Sequence, residues 1–463
     1  MNEQSQLPKV SYHTLGCKLN FAETSALGRE LEAAGFLRAQ GSETPDICVI
    51  NTCSVTETAD KKGRQLIRRL VSRYPEATIV VTGCYAQLKP EEVDAIPGVD
   101  IVLGTNDKLH IARFVKQWQT DHVKQLHVPQ AASLREFMPS CERGDRTRYF
   151  LKVQDGCDYW CSYCTIPMAR GRSRSGSIAQ MVELARRTAR EGGREIVLTG
   201  VNTGDFGKGT EENFFDLIRA LDEVEGISRY RISSIEPNLL TEEIIRWVAE
   251  ESRAFMPHFH VPLQSGSDEV LRLMRRRYDT DLFRSRMEMI KEAIPHAFIG
   301  VDVIAGARGE TEEEWLRGYE FIASLPVSQL HVFPYSERPN TRALQLDAYD
   351  VPVSERHRRV NRLMTLSQSK YDAFRNSMLG SHRPVLWEQP RLLTSASPAN
   401  PSSSSAPESS PENASTPIMH GFTDNYLRIE APYRPELVNR VTNASLIEVI
   451  DNESIRGEID IFG

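Results

Sequence analysis

Three cysteines within a stretch of eight residues, Cys157, Cys161 and Cys164, form the part of this sequence best suited to chemistry. The C-x3-C-x2-C spacing lets three thiolates on one short loop hold three corners of a 4Fe-4S cluster, so that the fourth iron has no protein ligand. An open iron is a position at which a substrate can bind and react. Two alternatives are a zinc site, which would need a fourth ligand and more usually uses C-x2-C pairs, and a thiol loop without metal.

Five further cysteines are spread over the chain. Cys17, Cys53 and Cys84 each come just past the end of a predicted strand. Because ligands bind outside the carboxyl ends of strands in doubly wound sheets, these three could meet at one edge and form a second cluster site. The alternative is that they are buried core thiols, a common fate of free cysteine. We predict that Cys48, within a strand, is such a core thiol, and that Cys141 is a free surface thiol.

The elements that must position the scattered cysteines alternate between strand and helix. Apolar runs such as residues 47–50 are typical of strands buried on both faces of a parallel sheet. The sequence therefore predicts a doubly wound α/β domain over residues 8–120, followed by a polar connector over 121–145. Strands are predicted at 10–14, 46–51, 78–82 and 101–103, and helices near 22–34 and 57–74.

The three-cysteine loop follows the first of six predicted strand and helix repeats. Such repeats favour a partial parallel (β/α) barrel over residues 146–375, with its chemistry on the loops that follow the strands. The strands are predicted at 149–153, 195–199, 230–233, 258–261, 298–304 and 329–333, and the helices near 178–191, 214–223, 241–250, 268–277, 282–293 and 312–324.

The last part of the chain has short alternating stretches at 384–387, 427–430, 445–450 and 458–461. These predict a small antiparallel β-barrel over residues 380–463. Residues 394–417 interrupt it with serine, proline and alanine and nothing larger that is apolar, so we expect that insertion to be disordered.

Composition limits the class of protein. With 463 residues, 52.4 kDa and 40% hydrophobic residues, the chain is too large for a lone small binding module and typical of a folded protein. No apolar run approaches the roughly 18 residues of a membrane helix, and the first ten residues lack a secretory pattern, so we expect a cytoplasmic protein without a membrane partner. The net charge of -7 means that any contact with nucleic acid must be local.

Several motifs, in order along the chain, carry a family resemblance. They are TLGCKLN at 14–20, NTCSV at 51–55, TGCY at 82–85, QDGC at 154–157, ARGR at 169–172 and PLQSGS at 262–267. The loop of residues 157–164 resembles the signature of the radical S-adenosylmethionine superfamily, and the full set resembles the methylthiotransferases within it. DGC at 155–157 together with IPMARG at 166–171 is similar to the branch that acts on threonylcarbamoyladenosine in tRNA, next to the anticodon.

The resemblance implies two 4Fe-4S clusters and two molecules of S-adenosylmethionine per turnover. All six residues named as metal ligands and catalytic residues are cysteines: Cys157, Cys161 and Cys164 for the first cluster, and Cys17, Cys53 and Cys84 for the second. In the family the first open iron binds S-adenosylmethionine, whose one-electron cleavage starts C–H activation, and the second presents the sulfur that is then methylated. This chemistry suits the task, because the C–H bond at carbon 2 of adenine is too weakly acidic for a side-chain base and the cofactor must carry the step.

By the same resemblance, the loop of residues 200–207 contacts the amino end of S-adenosylmethionine and an aromatic residue lies beside its adenine. Later strand ends could hydrogen-bond its ribose or methionyl groups. The predicted cofactor-binding residues are Tyr163, Gly200, Asn202, Ser233, Glu236 and Gln264. The alternatives are structural: a glycine-rich turn, simple packing and capping.

Basic runs are candidates for a phosphate-binding rim that holds the anticodon stem. They are Arg170, Arg172 and Arg174, then Arg275, Arg276 and Arg277, and the basic side chains of helix 57–74. Solvated surface charge is the alternative. The last domain resembles the RNA-binding TRAM module through residues 421–426, yet from residue 380 onward it has 6 Arg, no Lys and 11 Asp+Glu, so RNA contacts there must be few or depend on shape.

Together these features predict a methylthiotransferase that modifies carbon 2 of N6-threonylcarbamoyladenosine in tRNA. The expected partners are the tRNA anticodon stem-loop, an electron donor such as flavodoxin or ferredoxin, and a sulfur source. The alternatives are the same chemistry on isopentenyladenosine in tRNA or on an aspartate of a ribosomal protein, and, from another class, a non-catalytic RNA-binding or zinc protein.

Overall fold

A computed structural model describes residues 7–134, 136–143, 147–389 and 417–460 of the chain. They form two compact units, Met1–Gln368 and Ser369–Gly463. Among the described helices, none has both the length and the apolar character needed to cross a membrane.

The first sheet has six parallel strands in the order β2-β1-β3-β4-β5-β6. Its strands are β1 (Lys9–Thr14), β2 (Leu37–Arg38), β3 (Ile47–Thr52), β4 (Thr78–Gly83), β5 (Ile101–Leu103) and β6 (Gln125–His127), and its helices are α1 (Lys18–Ala33), α2 (Glu57–Arg73), α3 (Cys84–Leu88), α4 (Pro90–Asp94) and α5 (Ile111–Asp121). Every residue of β3 is buried: Cys48 and Ile50 belong to one apolar cluster, and Ile47 and Val49 to another. Two clusters on two faces confirm the predicted doubly wound layout.

The second part of this unit is the predicted partial barrel. Its strands are β7 (Ser140–Arg143), β8 (Tyr149–Lys152), β9 (Gln154–Asp155), β10 (Arg174–Ser175), β11 (Glu195–Thr199), β12 (Arg229–Ile232), β13 (His258–Gln264), β14 (Phe298–Ala305) and β15 (Gln329–Pro334). Its helices are α6 (Ile166–Arg170), α7 (Ile178–Arg190), α8 (Phe214–Asp222), α9 (Glu242–Glu250), α10 (Asp268–Leu273), α11 (Thr280–Ala293), α12 (Glu312–Ser324) and α13 (Val353–Met378), the last of which contains the boundary between the units.

All six predicted strands of the barrel are present. Strands β12, β11 and β8 pair in parallel, as do β13, β14 and β15, and two parallel bridges, Tyr230 with Phe255 and Ser234 with His260, join the two groups. The stretch predicted as a polar connector contains two strands that the sequence did not reveal. β6 extends the first sheet, and β7 pairs antiparallel with β8.

Polar caps set where the loops around the barrel end and the helices begin. Ser177 and Gln180 form a capping box at the start of α7, and Thr241, Asp279 and Thr311 accept hydrogen bonds from the first turns of α9, α11 and α12. Each cap satisfies a backbone N–H that the helix itself leaves unpaired. The helices therefore start at fixed points, and the loops at the carboxyl ends of the strands have defined lengths.

The second unit contains a closed barrel in the order β16-β17-β18-β20-β19. Its strands are β16 (His382–Trp387), β17 (Ile418–Thr423), β18 (Arg428–Pro432), β19 (Val441–Val449) and β20 (Ser454–Ile459). The prediction of an antiparallel barrel needs one correction, because β18 and β20 pair in parallel. A closed ring of five strands cannot alternate direction throughout, so one parallel pair is unavoidable. The insertion predicted at 394–417 lies, apart from its last residue, outside the described residues.

Candidate functional site

Cys17, Cys53 and Cys84 lie at the carboxyl ends of β1, β3 and β4, which are neighbours in the sheet. Cys17 is the N-cap of α1, and Cys84 is the first residue of α3. Gly16 makes room for this arrangement: with φ +104°, a Cβ there would lie 2.6 Å from the Cβ of Cys53 and 2.9 Å from its Sγ. The three cysteines that are far apart in sequence therefore meet, as predicted.

The electrostatics of this first set favour a cationic ligand. Burial, together with the nearby Cys84 and Cys17 thiols, raises the pKa of Cys53 to about 12, because thiolates in a buried group repel one another. Burial also raises the pKa of Cys84. Three thiolates are stable here only when a positive group shares their charge, and the irons of a 4Fe-4S cluster meet that need.

Cys157, Cys161 and Cys164 lie on the loop after β9, held by backbone contacts. The N–H of Cys157 bonds to the carbonyl of Gly171 at 3.1 Å, and that of Cys164 to the carbonyl of Cys161 at 3.0 Å. Backbone N–H groups of Tyr159 and Ile166 each donate to a cysteine Sγ at 3.4 Å. Burial raises the pKa of Cys157 and Cys164 to about 12, so this second set also fits a cationic cluster.

A glutamine that the sequence analysis did not single out joins the cysteine loop to the glycine-rich loop after β11. The Gln154 Oε1 accepts from the N–H groups of Val201 (3.0 Å) and Asn202 (2.9 Å), while its Nε2 donates to the carbonyl of Gly156 at 2.7 Å. A Cβ on Gly200 would lie 3.0 Å from the same Oε1. The absence of a side chain at 200 thus lets the two loops approach.

Two predicted cofactor-binding residues have buried polar atoms without a partner among the described residues. They are both side-chain atoms of Asn202, which is 2% exposed, and the hydroxyl of Ser233. Leaving such groups unpaired costs free energy, so both side chains are candidates to bind a polar ligand. Gln264 ends β13 in a left-handed conformation with φ 69°, where the pairing register also shifts.

Glu236 and Tyr163 have protein partners in this structure. The guanidinium of Arg276 forms an ion pair with Glu236 and donates to the Sγ of Cys161 at 3.1 Å and to the Tyr163 hydroxyl at 3.5 Å. The Tyr163 ring also packs against the cluster of Val270 and Met274. The prediction that Arg276 is part of a phosphate rim is therefore wrong: its side chain is 3% exposed and orients the cysteine loop instead.

A buried charged network links the two sets of cysteines. Glu23 of α1 accepts from Lys108 at 2.7 Å and from Lys152 and Arg170 at 2.9 Å, and Asp155 pairs with Lys152 at 2.8 Å and with Arg170 at 3.0 Å. These five side chains are at most 5% exposed. Their cations hold the pKa of Glu23 well below its ordinary value, against the effect of burial.

This network, which we name the interset network, corrects a second part of the predicted rim. Arg170 is buried, and Arg174 donates to Asp155 at 3.0 Å, whereas Arg172 is exposed. Sequence reasoning missed Glu23 entirely. The feature that could have revealed it is a carboxylate on the apolar face of α1, next to Ala22 and Leu27.

The two remaining cysteines have different outcomes. Cys48 is fully buried in β3, as predicted. The prediction that Cys141 is a surface thiol is wrong, because it lies in β7 opposite Leu151, is 1% exposed and accepts from the Thr188 hydroxyl at 3.1 Å.

On α2, the basic side chains of the predicted rim are mostly exposed: Lys61, Lys62, Arg68, Arg69 and Arg73.

Two family models match the parts of the chain that carry the cysteines. Residues 9–104 match "Uncharacterized protein family UPF0004", and residues 151–322 match "Radical SAM superfamily". Among solved structures, a radical S-adenosylmethionine methyltransferase, TsrM, from Kitasatospora setae superposes with a TM-score of 0.54 at 15% identity, covering 73% of this chain and 77% of that one. At this identity the likeness concerns the fold alone.

Two curated relatives are more informative. The Threonylcarbamoyladenosine tRNA methylthiotransferase MtaB of Bacillus subtilis (strain 168) is 37% identical over 95% of this chain and 94% of its own length. The tRNA-2-methylthio-N(6)-dimethylallyladenosine synthase of Thermobifida fusca (strain YX) is 33% identical over 79% of this chain and 74% of its own length. On this evidence, the chain belongs to the radical S-adenosylmethionine methylthiotransferase family.

Proposed function

We propose that this protein is a tRNA methylthiotransferase that adds a methylthio group to carbon 2 of N6-threonylcarbamoyladenosine next to the anticodon. One observation carries the proposal. Two sets of three cysteines, each suited to a cluster with an open iron, are joined by the interset network in a chain that resembles enzymes with this activity over nearly its whole length. A zinc or purely RNA-binding protein would not need both sets.

The enzyme uses two 4Fe-4S clusters and S-adenosylmethionine. We assign one cluster to Cys157, Cys161 and Cys164, and the other to Cys17, Cys53 and Cys84. When bound, these groups supply the one-electron chemistry that activates an unreactive C–H bond, and the sulfur and methyl groups that replace the hydrogen. The protein holds the cysteines in place: Gly16 leaves space beside Cys53, and Arg276 orients Cys161.

For S-adenosylmethionine we propose the unpaired buried polar groups of Asn202 and Ser233 as hydrogen-bonding partners. Gly200 lets the backbone approach the ligand. We place Tyr163 and Gln264 at the edge of the same S-adenosylmethionine site. Glu236 acts indirectly, through its ion pair with Arg276. Asn202 and Ser233 are buried, so water weakens the hydrogen bonds that they make less than it would at the surface.

We propose a division of labour among three regions. Residues 8–120 carry the cluster of Cys17, Cys53 and Cys84, and residues 146–375 carry the cluster of Cys157, Cys161 and Cys164 with S-adenosylmethionine. The C-terminal β-barrel of residues 380–463 contacts tRNA. Exposed cations on α2 give the phosphate backbone of the anticodon stem a local positive surface. An electron donor such as flavodoxin or ferredoxin and a sulfur source complete the reaction, which we place in the cytoplasm with its tRNA substrate.

Mass analysis of tRNA nucleosides tests the substrate. A strain that lacks the gene should lose 2-methylthio-threonylcarbamoyladenosine and regain it on complementation. Persistence of that nucleoside would refute the substrate assignment. Loss of the methylthio-dimethylallyl nucleoside instead would support the alternative suggested by the Thermobifida relative. An anaerobic iron count of about eight per chain checks the two clusters independently.

The two cysteine sets should separate by function. Cys161→Ala should abolish cleavage of S-adenosylmethionine, whereas Cys53→Ala should retain cleavage and lose sulfur insertion. The measurements are 5′-deoxyadenosine formation and methylthiolated RNA in the same anaerobic assay. Cys48→Ala, another buried cysteine in the first sheet, is the control and should retain both activities. Equal loss of both activities in Cys161→Ala and Cys53→Ala proteins that fold natively and each retain the iron of the other cluster would contradict separate roles.

A further inference from the structure

Three adjacent strands of the barrel present a group of polar side chains that the proposed chemistry does not use: His260 on β13, Asp302 on β14 and His331 on β15. Asp302 and His331 are direct partners in the register of β14 and β15. Their neighbours Val301 and Val303 belong to the hydrophobic core. Because side chains alternate along a strand, the polar group faces away from that core, into the barrel.

The three side chains are close together and half-buried. Their polar atoms lie within 4.8 Å of one another, and the His260 Nε2 is 2.7 Å from the Asp302 Oδ1. The rings of His260 and His331 are 5.0 Å apart. A Cβ on Gly300 would lie 3.1 Å from the His331 Nε2, so glycine leaves space for the imidazole.

Helix α1 supplies a fourth polar residue to the same face. Its Ala22 packs against Phe150 and Val197 of the barrel strands. Lys18 is exposed and lies one helical turn before Ala22, and residues four apart share a helix face, so Lys18 is on the face of α1 that packs on the barrel strands. Consistent with this, Lys18 contributes to lowering the pKa of Asp302. We call Lys18, His260, Asp302 and His331 the barrel polar group.

The barrel polar group is connected to both cysteine sets. On one side, Lys18 directly follows Cys17. On the other side, the N–H of Ile235 bonds to the carbonyl of His260 at 3.1 Å, and the next residue, Glu236, pairs with Arg276, which bonds to Cys161. This region therefore adjoins both sets, as the binding site of a substrate that both sets must reach should.

We propose that the barrel polar group binds the threonylcarbamoyl substituent of the substrate and selects it over an apolar substituent on the same adenine nitrogen. This inference rests on the proposed function and names the residues that determine the substrate. Lys18 supplies the charge that complements the substituent's carboxylate, while the imidazoles hydrogen-bond its oxygens and N–H groups. The Asp302 Oδ1 lies 2.7 Å from the His260 Nε2, so this oxygen already has a hydrogen-bonding partner, which limits repulsion of that carboxylate.

Selectivity follows from the cost of unpaired polar groups. A site built to hydrogen-bond a substrate rejects an analogue that lacks the matching groups, because its own half-buried polar atoms are then left unsatisfied. A dimethylallyl substituent has no hydrogen-bonding group. Two histidines and an aspartate could also hold a divalent cation, but the ammonium of Lys18 opposes one.

His331→Leu is the decisive variant, with His331→Gln as the conservative one. The full chain, with both clusters reconstituted anaerobically, is assayed on anticodon stem-loop RNA carrying either threonylcarbamoyladenosine or dimethylallyladenosine. His331→Leu should lower kcat/KM on the first RNA by about thirtyfold, or about 2 kcal/mol. His331→Gln should recover a large part of this loss. In both variants, the rate of S-adenosylmethionine cleavage without RNA should stay within twofold of the wild-type rate. His357→Leu, an exposed histidine of α13, is the matched control and should change nothing.

The outcomes separate this inference from the proposed function. If the wild-type enzyme acts on threonylcarbamoyl RNA and the His331→Leu variant retains that activity, the inference is wrong and the proposed function stands. Equal losses on both RNAs would also overturn the inference, as would one equivalent of zinc or manganese that is bound by the original protein and lost in His331→Leu. If the wild-type enzyme does not methylthiolate threonylcarbamoyl RNA, the proposed function itself is wrong.

Discussion

Replacing Glu23 by glutamine should destabilise the first unit strongly, because this carboxylate is the centre of the interset network. Its two oxygens contact three cations at 2.7–2.9 Å, and the side chain is 5% exposed. The substitution leaves Lys108, Lys152 and Arg170 with Asp155 as their buried anion. Removing one partner from a buried ion pair typically costs about 3–5 kcal/mol, since the partner charges stay buried and uncompensated.

The assay is urea denaturation of the full chain under anaerobic conditions, followed by tryptophan fluorescence, with iron content measured in parallel. We expect the free energy of unfolding of the first unit to fall by about 3–5 kcal/mol. Glu183→Gln, which breaks the exposed pair with Arg190 at 2.8 Å, is the control and should leave the transition unchanged.

A second variant keeps this reasoning testable if Glu23→Gln does not fold. Adding Lys108→Met removes one of the stranded cations, so the double variant should be more stable than Glu23→Gln alone. A Glu23→Gln protein within about 1 kcal/mol of the original would refute the electrostatic argument, as would a double variant that is less stable still.

Three further predictions concern the same region. Gly16→Ala should lower bound iron by about half, because its Cβ would lie 2.6 Å from the Cβ of Cys53, whereas Gly35→Ala, with φ +98° and open space, should retain the iron. Asn202→Ala should raise the Kd for S-adenosylmethionine by about tenfold, measured by equilibrium binding to the reconstituted enzyme, since a hydrogen bond is lost from a buried site. Acid should weaken the interset network: because the folded pKa of Glu23 is lowered, its stabilisation is full above the ordinary glutamate pKa of 4.5 and is lost as the pH falls further. The stability difference between the original protein and Glu23→Gln should therefore shrink below about pH 4.5, and a difference that is constant down to pH 3 would contradict the assignment.

The parallel strands of the first sheet could be predicted from the sequence, and so could the placement of Cys17, Cys53 and Cys84 at one edge of it. Both follow from local patterns. Runs such as residues 47–50 are apolar on both faces, and Cys17, Cys53 and Cys84 follow strands of one sheet. The rule that such strand ends share an edge then brings the cysteines together without any knowledge of side-chain contacts. The spacing of Cys157, Cys161 and Cys164 places these three cysteines on one loop without any such rule.

Charged residues were predicted less well, because a sequence shows the charge but not its burial. Arg170 and Arg276 looked like surface cations within basic runs, yet each has a buried carboxylate partner far away in the chain. Glu23 is 147 residues from Arg170, a pairing that no local pattern contains. Cys141 was misplaced for a similar reason: β7 is short and polar, and only its pairing with β8 buries the thiol.

Helix α1 begins directly after Cys17, and Ala22 in its next turn packs against Phe150 and Val197 of the barrel strands. Neither half of the first unit is therefore complete alone: a barrel cut free at the connector would expose Lys152 and Arg170 without Glu23. Grafting the amino-terminal half onto a different radical barrel would succeed only where that barrel provides matching cations. When domains are exchanged between related proteins, helix α1 and the cations that pair with its Glu23 should therefore be transferred together.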